Sequence, residues 1–216
     1  MRGAGPNLRS WTSLKNAGIL SAARDRFEPG KQKTSIEGWP TLLNPVEGVP
    51  AASPLANQAS AHADPNRLKV MLVCSSGGHL LQLYRLRPWW QNLDRSWVTF
   101  KMPDSQSMLT AERVEWAYQP TTRNIPNLLR NLRLAWRLLR RHRPQLIVSS
   151  GAGVAVPFFV LGRLLRMKTI YIEVYDRIDL PTLTGRLVYP FSNLFLLQWE
   201  QQRQFYPRGR LIGKLL

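Results

Sequence analysis

Twice in this chain an apolar run stops at a glycine-rich turn and continues as an amphipathic or apolar stretch. The first is Val70-Met71-Leu72-Val73 leading into Cys74-Ser75-Ser76-Gly77-Gly78-His79. The second is Leu146-Ile147-Val148-Ser149 leading into Ser150-Gly151-Ala152-Gly153. Short runs without alternation fit strands buried on both faces, and glycine turns into helices fit βα junctions. The repeat points to a parallel sheet with helices on both sides.

The rest of the chain from Lys69 follows the same alternation. Strands are expected at Lys69–Cys74, Ser96–Phe100, Val114–Tyr118, Gln145–Ser149, Lys168–Val174, Leu194–Gln198 and Arg210–Ile212. Helices are expected at Gly78–Trp90, Asn124–Arg143, Gly153–Arg166 and Leu183–Tyr189. The predicted class is α/β, a doubly wound Rossmann-like sheet whose ligands bind outside the carboxyl ends of the strands. Leu146–Gly162 is uncharged. Its internal glycines and Pro157 read as strand, turn and buried helix rather than a membrane span.

Residues 1–68 differ in character. They hold seven prolines between Pro6 and Pro65 and no sustained period. They are read as a disordered extension with a short helix around Leu14–Arg26, and residues 69–216 as the folded domain. Arg2, Arg9 and Lys15 without an early acid give the first 23 residues some likeness to a transit peptide, but a disordered extension is the preferred reading.

Charge narrows the partners. Thirty Lys and Arg against thirteen Asp and Glu give +17 over 216 residues. That balance asks for an anionic partner: nucleic acid, a phosphorylated ligand or acidic lipid. Cys74 is the single cysteine, so no internal disulfide exists. It is read as a small buried residue at a strand end.

The glycine turns carry the chemistry. Glycine lets backbone approach a ligand, and a helix N-terminus offers free N–H groups and about half a unit of positive charge. Together they suit phosphate or diphosphate. Neither turn is a Walker loop, and neither completes Gly-x-Gly-x-x-Gly, since Val156 stands at the third position. His79 follows Gly77 and Gly78 on the first turn of a helix, where imidazole stays neutral and can accept a proton. Glu173 ends the strand Ile170-Tyr171-Ile172-Glu173-Val174 and is expected to point into the ligand crevice. No Cys/His metal spacing and no nucleophile elbow is present, and no cofactor is expected. On Asn124–Arg143, Ile125, Leu128, Leu129, Leu132, Trp136 and Leu139 form one face, expected to pack on the sheet. Arg130, Arg133, Arg137, Arg140 and Arg141 form another, which is solvated or lies on an anionic bilayer.

These pieces in this order resemble the asparagine-linked-glycosylation fourteen family. The likeness runs from Lys69 to the C-terminus. It rests on Ser76-Gly77-Gly78-His79, Arg123 before the long helix, Gly151-x-Gly153, Tyr171-Ile172-Glu173, Arg177, Thr184-Gly185-Arg186, Gln198-Trp199, Tyr206-Pro207 and Gly213. The resemblance implies the N-terminal half of a B-type glycosyltransferase fold, similar to the N-terminal domain of the peptidoglycan transferase MurG. It implies a membrane-associated subunit of a two-chain, inverting UDP-sugar transferase acting on a polyprenyl-diphosphate-linked saccharide. A smaller donor-binding chain is the implied partner, and this chain alone is expected to be inactive. Ser76, Gly77, Gly78, Arg123, Gly151, Gly153 and Arg177 are implied in substrate binding. His79 or Glu173 is implied as the base for the acceptor hydroxyl or as a positioning group. Residues 1–68 contain no transmembrane run of the kind eukaryotic members carry, so peripheral attachment to the cytoplasmic face of a membrane is expected. Ala152 stands where eukaryotic members often have proline. N-acetylglucosamine, glucuronate, galactose and glucose are all open as donor sugars.

Two other readings compete. A nucleotide-binding oxidoreductase would need an acidic ribose ligand after the second strand, where only Asp104 is available. An RNA-binding protein would use the arginine helix, but no aromatic-basic platform accompanies it.

Overall fold

The computed structural model describes residues 67–121 and 124–215. Residues 1–66 of the extension expected over 1–68, the short helix expected within it, and Arg123 lie outside the described residues. Seven strands form one all-parallel sheet: β1 (Lys69–Val73), β2 (Asp94–Phe100), β3 (Val114–Ala117), β4 (Leu146–Ser149), β5 (Lys168–Ile172), β6 (Leu194–Leu197) and β7 (Arg210–Leu211). The strand order is β3-β2-β1-β4-β5-β6-β7. The order reverses between β1 and β4, which is where an open α/β sheet opens a crevice at its carboxyl edge. The Rossmann-like expectation holds.

Alternate residues of each strand feed opposite cores, as the period of two requires. Met71 and Val73 join Ile147, Tyr171, Phe195 and Leu197 on one face. Val70, Leu72 and Cys74 join Val148, Ile170, Ile172 and Leu196 on the other. The second face is covered by α1 (Gly78–Arg85) and α2 (Arg87–Trp90), through Leu80, Leu83 and Trp90. The first is covered by α4 (Ile125–His142), α5 (Ala155–Leu164) and α6 (Leu183–Val188). A short α3 (Pro103–Met108) links β2 to β3. Cys74 is buried, and burial pushes its thiol up to about 12.

Three expectations need correction. The helix expected over Gly78–Trp90 is two helices, because Pro88 near the start of α2 has no N–H to continue the ladder. The strand β2 begins two residues early, at Asp94 and Arg95. Both are buried because Arg95 makes a two-pronged pair with Glu112 at 2.7 and 2.8 Å, and Asp94 pairs with Arg113. The third concerns α4. Its sheet-facing side is Asn127, Asn131, Leu134, Ala135, Leu138 and Leu139, while Ile125, Leu128, Leu129, Leu132 and Trp136 are exposed. The asparagines set this rotation. The Asn131 side chain accepts from the Tyr118 N–H (2.9 Å) and donates to the Tyr118 carbonyl (2.8 Å), while Asn127 donates to the Pro120 carbonyl (3.0 Å). The loop leaving β3 has lost its ladder partners, and these side chains satisfy its backbone groups.

Among the described residues no helix is long and apolar enough to cross a membrane. Leu146–Gly162 resolves into β4, its glycine turn and most of α5.

Candidate functional site

The two glycine turns leave neighbouring strands, β1 and β4, on either side of the switch point. They are bound to each other. His79 Nδ1 lies 2.8 Å from the Ser150 carbonyl oxygen, and Ser150 Oγ donates to the His79 carbonyl at 2.7 Å. A carbonyl only accepts, so Nδ1 carries the proton and Nε2 presents a lone pair. Burial lowers the imidazole pKa, opposed by the hydrogen bond to Ser150 and by the charge of Asp176. The neutral ring therefore persists to lower pH than a free histidine.

Backbone conformation explains the glycines. Gly77 has φ +74° and Gly151 φ +131°, regions that side chains rarely adopt. A Cβ on Gly151 would also sit 2.5 Å from His79 Cε1 and 2.7 Å from Nδ1. The second turn thus supplies the space for the histidine of the first. Ala152 follows at φ +68°, a value closed to proline. Gly77 and Gly78 are exposed, and a Cβ on Gly78 would meet no atom within 4 Å. Ser76 beside them is half-buried. Gly153 faces the loop after β3, with its Cβ position 3.1 Å from Thr121 Cβ.

Asp104 has an unexpected place. Its Oδ2 accepts from the Gly77 N–H at 2.6 Å. The acid that a dinucleotide reading would set on a ribose is turned instead onto the first glycine turn.

Glu173 is not in the crevice, contrary to expectation. It is 0% exposed. Its Oε1 accepts from the Val174 N–H (3.0 Å) and from Thr182 Oγ1 (3.0 Å). Its Oε2 and the Tyr206 hydroxyl fill the space where a Cβ on Gly185 would stand. Burial raises its pKa, with the Val174 and Thr182 hydrogen bonds opposing. Thr182 in turn caps α6 by accepting from the Gly185 N–H at 2.8 Å. The carboxyl therefore ties the end of β5 to α6 from beneath.

The segment between them, 175–181, carries Arg177 with its side chain in solvent. Gln202 holds that segment, donating from Nε2 to the carbonyls of Val174 and Arg177 at 2.9 Å each. Gln198 donates to the Glu173 carbonyl at 2.8 Å. The structure thus brings Ser76, Gly77, Gly78, His79, Gly151 and Gly153 together and sets Arg177 on a neighbouring loop. Sequence reasoning named Ser150 and Asp104 but not the roles they have here, and it missed Thr182 and Gln202, of which Thr182 left a trace as a Thr preceding a short helix. Among the described residues no group of three or more His, Cys, Asp or Glu could hold a metal ion.

The chain is similar to the Candida albicans UDP-N-acetylglucosamine transferase subunit ALG14, at 27% identity over 68% of this chain and 78% of that protein. The Mus musculus subunit of the same name is 23% identical over 72% of this chain and 87% of that one. Among solved structures, Acinetobacter baumannii MurG superposes with a TM-score of 0.53 at 16% identity, over 62% of this chain and 42% of MurG. The Rickettsia bellii UDP-N-acetylglucosamine 2-epimerase gives 0.56 at 9% identity, over 69% and 46%. The chain spans less than half the length of these two enzymes, and the likeness to them is one of fold. A family profile described as "Oligosaccharide biosynthesis protein Alg14 like" matches residues 105–215, more than half of the sequence, and the chain therefore belongs to the Alg14 family.

Proposed function

We propose that this chain is one subunit of a two-chain glycosyltransferase. The enzyme moves a sugar from a UDP-sugar to a polyprenyl-diphosphate-linked saccharide at a membrane surface. This chain supplies the acceptor side and recruits a smaller donor-binding partner. The observation that carries the reading is His79, held through Nδ1 by Ser150 and with no partner on Nε2 among the described residues, at the point where two glycine turns meet. The Alg14 family match and the names of the relatives, each a UDP-N-acetylglucosamine transferase subunit, support it.

The chemistry follows from those atoms. Nε2 takes the proton from the acceptor hydroxyl as its oxygen attacks the anomeric carbon. The bond from that carbon to the diphosphate breaks, UDP leaves with the electron pair, and the configuration inverts. The exposed backbone of Gly77 and Gly78 at the start of α1 faces diphosphate charge without a Cβ in the way. An anion that uses the Gly77 N–H displaces the Asp104 carboxylate from it. Arg123 and Arg177 supply further positive charge. Glu173 has a positioning role: its buried carboxyl sets the loop that carries Arg177.

The test is co-purification followed by transfer. The tagged chain is isolated in mild detergent with its associated proteins, and the assembly is assayed with UDP-sugars and a polyprenyl-diphosphate acceptor. A small UDP-binding chain and transfer that needs both chains are expected. A chain that stays alone, or tight NAD(P) binding without transfer, overturns the proposal.

A further inference from the structure

The loop leaving β5 has side chains in solvent but a backbone held at nearly every carbonyl. Gln198 Nε2 donates to the Glu173 carbonyl at 2.8 Å, and Gln202 Nε2 to those of Val174 and Arg177 at 2.9 Å each. Trp199 Nε1 donates to the Tyr175 carbonyl at 2.6 Å. These donors come from just past β6 and from the 3₁₀ turn Glu200–Gln204. Gln202 is itself oriented, because its Oε1 accepts from the Gln198 and Trp199 N–H groups at 2.9 and 3.3 Å. Surface loops are ordinarily the mobile part of a fold. What this clamp holds still is exposed: Tyr175 at 40%, with Asp176, Arg177 and Asp179 following it.

The Tyr175 ring is held as well. It stacks on Trp199 with centroids 6.3 Å apart and planes 25° from parallel, and the Lys214 ammonium lies 4.1 Å from the Trp199 centroid. An aromatic ring that is open to solvent yet already ordered has little freedom left to lose on binding. It also stands at the crevice. Strand β5 is the neighbour of β4, whose turn carries Gly151, and the Asp176 carboxylate acts through its charge on the His79 imidazole.

Charge selects the ligand. The chain has thirteen acids against thirty Lys and Arg, yet Asp176 and Asp179 both lie on this loop, on either side of Arg177. Carboxylates accept hydrogen bonds only, and they repel phosphate. A uracil edge offers them one donor against two acceptors, and its nucleotide adds negative charge. The apolar core of a protein interface would strand three charges away from water. A neutral pyranose suits all of them. Its C–H face lies on an aromatic ring, while its hydroxyls donate to carboxylates and accept from a guanidinium.

We propose that Tyr175 is the stacking face for a neutral pyranose ring of the acceptor saccharide, with Asp176, Arg177 and Asp179 serving its hydroxyls. This rests on the function proposed above, which supplies the saccharide. Trp199 and Gln202 are then positioning residues for that ring.

The direct test is saturation-transfer NMR of the full chain with methyl β-glucoside, methyl N-acetyl-β-glucosaminide and methyl β-glucuronide. The C–H protons of the two neutral glycosides should gain saturation from the parent and from Tyr175→Phe, and not from Tyr175→Ala. The glucuronide should gain less, because its carboxylate meets Asp176 and Asp179. In the two-chain enzyme, Tyr175→Ala should raise the acceptor KM roughly tenfold and leave kcat and the UDP-sugar KM within about twofold. Tyr175→Phe keeps the ring and should restore that KM. Tyr175 belongs to neither core, so Tyr175→Ala should keep the parent Tm. No saturation from the parent, equal saturation from Tyr175→Ala, or a stronger glucuronide signal overturns the proposal. So does loss of the partner chain from Tyr175→Ala with glycoside binding intact, which makes the ring a subunit contact. Transfer with an unaltered acceptor KM in Tyr175→Ala defeats the stacking site and leaves the function standing. No transfer by any assembly, with Tyr175-dependent saturation of the glycosides, defeats the function and leaves the sugar site standing.

Discussion

Gly78→Val separates folding from function at the first glycine turn. A Cβ at this position meets no atom within 4 Å, and Gly78 is not among the glycines with positive φ. Nothing in the fold therefore asks for glycine here. The substitution should leave stability within about 0.5 kcal/mol, as at an unencumbered surface site. Gly78→Ala should gain up to about 1 kcal/mol, because alanine loses less backbone entropy in a helix. The effect on catalysis is different in kind. A diphosphate oxygen bonded to a backbone N–H here would lie about 3 Å from the nitrogen, in the volume the valine methyls take. Losing one hydrogen bond to a charged group costs about 1.5–3 kcal/mol, or roughly 10–150-fold in kcat/KM. The assay is thermal unfolding of the variant chain alongside steady-state transfer by the two-chain enzyme. Unchanged Tm with kcat/KM within twofold of the parent would refute the reasoning, since no ligand would then approach that backbone.

Further expectations concern the buried neighbours. Gly151→Ala combines a forbidding φ with the His79 ring 2.5 Å from the new Cβ, and should cost about 2–4 kcal/mol by denaturant titration. His79→Gln should lower kcat about 10²–10⁴-fold. The parent's acidic limb in kcat/KM should fall below pH 6.5, because burial holds the ring neutral, and the variant should lack that limb. Glu173 has a pKa raised by burial in the fold, so above about pH 4.5, the ordinary carboxylate value, the unfolded chain binds fewer protons and stability falls as pH rises from there. Glu173→Gln should flatten that slope in a Tm-against-pH series and keep transfer activity. Loss of transfer in a folded Glu173→Gln chain would make the carboxyl a base rather than a support. Glu112→Ala leaves the Arg95 guanidinium buried without its carboxylate, and chemical unfolding should show a loss of about 3–5 kcal/mol.

What the sequence discloses here depends on how local the cause is. The strands and both glycine turns are visible because uniform apolarity and Gly-Gly or Gly-x-Gly act within a few residues. The tie between His79 and Ser150 is invisible, because it joins positions 71 apart and needs the strand order that makes β1 and β4 neighbours. Helix α4 misleads for a related reason. Its strongest apolar periodicity marks Ile125, Leu128, Leu129, Leu132 and Trp136, and burial is the ordinary fate of such a stripe. Asn127 and Asn131 override it by satisfying the loop at Tyr118 and Pro120, which no helical wheel contains. Glu173 shows the same limit. A carboxylate at a strand's carboxyl end reads as crevice-facing, but the pleat sends it under Gly185, where Thr182 and Tyr206 wait. The short α3 has a proline at its start and Ser105 capping it, a signature too brief to stand out from a loop.

The reciprocal bonds between His79 and Ser150 lie wholly within this chain. The aim of the imidazole is thus inherited with one polypeptide and does not have to be rebuilt when two polypeptides meet. In the two-chain enzyme proposed above, only one side is then interchangeable. On that reading a different donor-binding partner brings a different sugar to the same histidine, and the proposed deprotonation of the acceptor passes unchanged from one pairing to the next.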